Sequence, residues 1–182
     1  MKEATVIAQT KKWISDVVIG CNFCPFARQV VVEDSIRYTV IEGSALHTHA
    51  SLLLSELDLL TAQPDISTSL LIFPDAYGHF RAYLDFLKQS EKQLVRKGFE
   101  GIFQLASFHP QYCFGGSKQD DPANYTNRSP YPMLHILRED SLSEAISRHK
   151  DATAIPQRNI AFARQKGLAY MKQLFLNTQA IK

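Results

Sequence analysis

Cysteine is scarce in this chain, with three in 182 residues. Three thiols do not make a disulfide framework, and they are expected to be reduced. An export signal is missing as well. The N-terminal MKEATVIAQTKKWISDVVIG is interrupted by Gln9, Lys11, Lys12 and Asp16, so it holds no apolar h-region. A cytoplasmic location is the expectation. No apolar run is long enough to span a bilayer. An excess of one charge is also lacking: 20 basic against 18 acidic residues give a net charge of +2. That balance, with no run of like charges, argues against nucleic acid and against an anionic membrane as partners. There is no internal repeat, low-complexity tract or domain boundary, and residues 1–182 read as a single globular domain.

What is present is alternation of helical and strand periods. Residues 4–19 carry Val6, Ile7, Thr10, Trp13, Ile14, Val17 and Val18 at helical spacing, and Gly20 suits the helix end. Val30-Val31-Val32 and Ile36–Ile41 flank Glu33-Asp34-Ser35, the pattern of a β-hairpin over 29–41. A helix over 45–62 follows, with Ser44 as N-cap and a stripe of Leu46, Ala50, Leu53, Leu54, Leu57 and Leu60. The apolar run Ser69–Phe73 reads as a strand buried on both faces, and Ile102–Phe108 reads the same way. Between them lies a helix over 77–97 stopped by Gly98. Met133–Arg138 reads as a further strand. Helices over 142–150, capped by Asp140 or Ser141, and over 157–176 complete the chain. The expected fold is α/β (α+β): one mixed β-sheet with βαβ units and an N-terminal β-hairpin, flanked by helices at both termini. Ligands in such sheets collect beyond the carboxyl ends of parallel strands, where Pro74-Asp75 and His109 emerge.

The stretch from Phe108 to Arg138 is the most informative. Pro110, Pro122, Pro130 and Pro132 are half of the eight prolines and exclude a long helix or a central strand. Its aromatics exclude a disordered linker. A long ordered loop of this kind points to a functional site.

Several constellations compete. Cys21 and Cys24 form a CxxC pair that reads as a redox dithiol or as two packed thiols. Cys21, Cys24, His109 and Cys113 are a candidate zinc set. Cys24 as nucleophile, His109 as base and Asp121 or Asn124 as orienting group are a candidate catalytic triad. His109, Asp121 and His135, with Asp120 beside them, are a candidate divalent-metal site. Arg128 with Asn124 and Asn127, and Arg158 with Asn159, are candidate donors to a small anionic substrate, although the same guanidinium fork could brace the loop. His47, His49, His79 and His149 read as solvated surface residues.

CPFA at 24–27, FHPQYCF at 108–114, the run from Asp121 to Glu139 and IPxRN at 155–159 resemble the domain-of-unknown-function 1415 family of bacterial proteins. The likeness covers essentially the whole chain. It implies that Cys24, His109, Asp121, Asn124, Asn127, Arg128, His135 and Asn159 match motif positions, while Cys21 and Cys113 do not. It implies no particular chemistry. The resulting expectation is an enzyme for a small anionic molecule, in a pocket built by the 108–138 loop, with Arg128 and Arg158 holding the anion. The competing expectation is a non-catalytic interaction protein using Tyr112, Phe114, Tyr125 and Tyr131, or a metal-binding protein.

Overall fold

A computed structural model describes residues 2–43, 46–149 and 151–181, with the main chain alone at 46 and 47. The expected cap at Ser44, the contribution of the Leu46 side chain and the helix end at Lys150 lie outside the described residues.

Four strands form one mixed sheet: β1 (Ile36–Val40), β2 (Thr68–Ile72), β3 (Phe103–Phe108) and β4 (Met133–Arg138). Their order is β1-β2-β4-β3. β1 and β2 pair in parallel across α3 (Leu46–Ala62), the expected βαβ unit. β4 runs antiparallel to both β2 and β3 and lies between them. All five residues of β2 are buried, as its continuous apolar run requires. β3 departs from expectation. It is an edge strand, and only Phe103 is buried, because β4 rather than β3 occupies the place beside β2.

Helices cover both faces. On one face Leu53, Leu57 and Leu60 of α3 and Tyr83, Phe86 and Leu94 of α4 (Phe80–Arg96) pack on Leu71, Phe73, Leu134 and Ile136. The three α3 leucines have no exposed surface. Truncating any one to alanine is expected to cost about 2–5 kcal/mol. On the other face lie Val6 and Trp13 of α1 (Glu3–Trp13), Ile14 and Val17 of a π-helical turn (Ile14–Ile19), and Ala163 and Met171 of α6 (Ile155–Thr178). They pack on Leu70, Ile72 and Met133.

There is no N-terminal hairpin. Residues 27–32 are a helix, α2 (Ala27–Val32), followed directly by β1. Its end explains the misreading. Asp34 adopts φ 49°, Ser35 N–H donates to Val30 O (3.1 Å), and Asp34 N–H donates to Val31 O (3.2 Å). This is a Schellman helix end with Asp34 as the left-handed residue. Glu33-Asp34-Ser35 is therefore a helix stop, not a strand-to-strand turn. The first helical segment ends as expected, its π turn stopping at Ile19 with Gly20 as the C-cap. Asn22 takes the left-handed conformation (φ 54°), and Phe23 N–H closes back to Val18 O (2.8 Å). Gly20 has a different constraint: a Cβ there would stand 2.2 Å from Asp16 O. Gly98 does end α4, with φ 80° and Phe99 N–H bonded to Leu94 O (3.1 Å).

α5 (Glu139–Arg148) starts directly after β4, before the expected caps. Glu139 N–H is satisfied by Ile102 O (3.0 Å), and Glu139 and Asp140 favour the positive helix end. α6 is broken at Gly167 (φ 83°, ψ 164°).

Candidate functional site

The 108–138 loop is ordered from within. It contains a 3-10 helix, Pro122–Thr126, capped by Asp121, whose carboxylate accepts from Ala123 N–H at 2.9 Å. Irregular backbone leaves carbonyls and amides without a ladder, and each must find a partner. The polar residues of the loop supply those partners. The side-chain oxygen of Asn124, which is fully buried, accepts from Phe114 N–H (3.0 Å) and Ser117 Oγ (2.9 Å); its amide donates to Lys118 O (2.8 Å). Asn127 donates to Ser107 O (3.3 Å). Arg128 donates through Nε to Tyr112 O (3.1 Å) and through Nη2 to Gln119 O (2.8 Å), with its guanidinium stacked 4.4 Å from the Tyr125 ring. Arg158 and Asn159 do the same for the turn before α2, donating to Asn22 O (2.7 Å) and Phe23 O (2.7 Å).

His109 is fully buried between the rings of Phe80 and Tyr83, each 5.1 Å away. Gln111 N–H donates to its Nδ1 (2.9 Å), so Nε2 carries the proton and donates to Tyr77 O (2.7 Å). Burial lowers its pKa, and the bond to Tyr77 only partly opposes that. The ring is neutral and has both nitrogens occupied. Asp121 pairs with Arg164 through Nη2 at 2.7 Å, and this contact, with the Ala123 amide, holds its carboxyl below the usual range. His109, Asp121 and Cys24 thus have separate partners, and no hydrogen bond joins them. His109 and Arg128 meet through the backbone, His109 N–H to Asn127 O (3.2 Å), and not through their side chains.

Among the described residues no three His, Cys, Asp or Glu side chains are placed to hold a metal ion. This covers both the cysteine-rich set and the group of His109, Asp121 and His135 with Asp120. All three cysteines are free thiols. The expected aromatic docking patch is also dispersed: Tyr125 and Tyr131 are buried, and Tyr112 packs on Phe80 and Phe114.

Two hollows remain. An open cleft of about 520 Å³ lies at the carboxyl ends of β2 and β3, bordered by Pro74, Asp75, Pro110 and Tyr131; neither His109 nor Arg128 lines it. The second, of about 620 Å³, is mostly apolar and lies over the sheet, reached by residues of all four strands, beneath α2 and α5. Trp13, Cys24, Phe108, His135 and His149 line it. The π turn contributes Ile14 and Val18 to its wall; such turns recur at functional sites.

His135 is the chemical centre of this cavity. Thr68 Oγ has a single proton and donates it to Ile136 O (2.6 Å), so it can only accept from His135 Nε2 (2.7 Å). The imidazole proton is therefore on Nε2 and the lone pair on Nδ1. Among the described residues that nitrogen has no protein partner, and the half-buried ring lines the cavity, so Nδ1 is the atom left to meet an occupant. Burial pushes the pKa of His135 down to about 4. Burial also raises the Cys24 thiol, outweighing the amides of Phe26 and Ala27, which act the other way.

Sequence reasoning singled out Cys24 and His135 but missed Trp13, Thr68 and His149. Trp13 was visible only as one position of a helical stripe. His149 was read as solvated, yet its Nδ1 is buried and unpaired. His49 is buried too, at 1 % exposure, bonded to Tyr77 OH (2.8 Å).

No helix among the described residues is long and apolar enough to cross a membrane. No curated protein and no solved structure matches the chain. The family described as "Protein of unknown function (DUF1415)" matches residues 5–173, nearly the whole sequence, and the chain belongs to that family.

Proposed function

We propose that this protein binds a small organic molecule in the cavity beneath α2 and α5, with Cys24 and His135 at the polar end of the site. One observation carries the reading. Cys24 and His135 are far apart in sequence, yet both line one apolar hollow of about 620 Å³, a size typical of small-molecule sites. The anion reading through Arg128 and Arg158 has less support, since both guanidinium groups donate to main-chain carbonyls. Binding is favoured over nucleophilic catalysis because burial raises the Cys24 thiol, which keeps it protonated at neutral pH.

The 108–138 loop then serves the cavity from behind. Trp13 Nε1 donates to Arg128 O (2.9 Å), so the loop brace fixes the tryptophan that forms one wall. Trp13 is the chain's single tryptophan and reports directly on occupancy. Titration of the protein with a panel of non-fluorescent aromatic fragments should change Trp13 emission in a saturable way. Ala106 lines the cavity beside His135, its cross-strand partner, and Ala106→Phe should fill it and weaken binding by at least about tenfold. Equal binding by the filled variant would remove the proposal.

A further inference from the structure

We infer that the occupant is a flat aromatic molecule carrying a neutral hydrogen-bond donor, such as a phenolic O–H or a heteroaromatic N–H, which it gives to Nδ1 of His135. This rests on the binding reading above and names the ligand class.

The donor requirement follows from the fixed tautomer. Thr68 holds the Nε2 proton, so Nδ1 can only accept. A ligand that leaves a lone pair unpaired in an apolar hollow loses the hydrogen bond and adds a desolvation cost. A carboxylate or phosphate would set its own lone pairs against that of Nδ1.

An anion would also need a cation, and the lining arginines are engaged elsewhere. Arg138 donates to Leu60 O (2.6 Å), Gln63 O (3.0 Å) and Ile66 O (3.0 Å), closing the end of α3. Arg148 pairs with Glu144. Cys24 and Glu33 also line the cavity, and neither a thiol nor a carboxyl supplies a positive charge. Among the described residues the cavity therefore favours neutral ligands.

The aromatic requirement follows from the walls. Trp13 meets Phe108 edge to face at 5.0 Å, Phe26 meets His149 in the same manner at 5.8 Å, and Phe108 lies 6.1 Å from His135. A planar ring entering this set gains edge and face contacts that an aliphatic chain of the same area does not.

The test is an NMR titration of the whole protein with 4-phenylphenol, its methyl ether 4-methoxybiphenyl, and biphenyl-4-carboxylate. The phenol should bind about tenfold more tightly than either of the others. It should also move the Nδ1 resonance of His135 while the ring keeps its proton on Nε2. His135→Leu should bring the phenol and the ether to similar affinity while the ether still binds. The comparison within the wild-type protein stands even if that variant folds poorly. Equal binding of phenol and ether, or tightest binding of the carboxylate, overturns the inference and leaves the binding site standing. If none of the three binds, both the ligand class and the binding reading fail.

Discussion

Asn124 shows what the polar residues of the 108–138 loop do. It is fully buried, and its amide group joins Phe114, Ser117 and Lys118. Asn124→Ala would strand several main-chain groups and should cost about 2–4 kcal/mol. The exposed pair of Arg164 with Asp121 has much less weight, and Arg164→Ala should cost under about 1 kcal/mol. Urea unfolding of both variants checks the contrast. Buried His109 and half-buried His135 set a pH dependence. Above the ordinary value of 6.5, both folded and unfolded chains hold these rings neutral. As pH falls from 6.5 towards about 4, the unfolded chain takes up protons that folded His135 and His109 resist. Stability should therefore be flat above that window and fall within it. Asp121 acts later, since the stability from its lowered pKa is lost only below the ordinary 3.8. Unfolding midpoints at pH 7.5 and 4.5 measure the effect, and His135→Leu should reduce the difference.

At the scale of elements, strong local patterns and the glycine stops at Gly20 and Gly98 were legible, and the stop at Asp34 was not. β2 and β4 could be read because their apolar runs match what their places in the sheet demand. α2 could not, because Val30-Val31-Val32 favours strand by local preference and the left-handed stop at Asp34 resembles a hairpin turn. Asp34→Gly should leave stability unchanged or raise it by up to about 1 kcal/mol, since glycine removes the cost of positive φ. Asp34→Val should lower it. In α6 the break at Gly167 has an extended ψ with positive φ, a region open essentially to glycine alone. No atom lies within 4 Å of a Cβ built there. Gly167→Ala should therefore cost about 1–3 kcal/mol through backbone strain, with no clash to relieve it. Thermal melts of the three variants separate these effects.

Across the whole molecule, two packed faces divide the work. The α3 and α4 face is a continuous core, while the opposite face opens into the cavity between the sheet and α5. Cys24 and His135 were recognisable as chemistry-bearing residues, but their sharing of one cavity was not, because it depends on β4 entering antiparallel between β2 and β3. Periodicity carries no trace of that order. The polar side chains of the 108–138 loop serve the loop itself for a related reason: a proline-rich loop has many unladdered carbonyls, and donors such as Asn127 and Arg128 turn inward to them. The most direct test is an amide-resolved NMR titration with 4-phenylphenol. Shifts confined to Trp13, Cys24, Ala106, His135 and the first turn of α5 are expected. Shifts centred on Tyr112, Gln119 and Arg128, with the cavity residues silent, would contradict the assignment of the site.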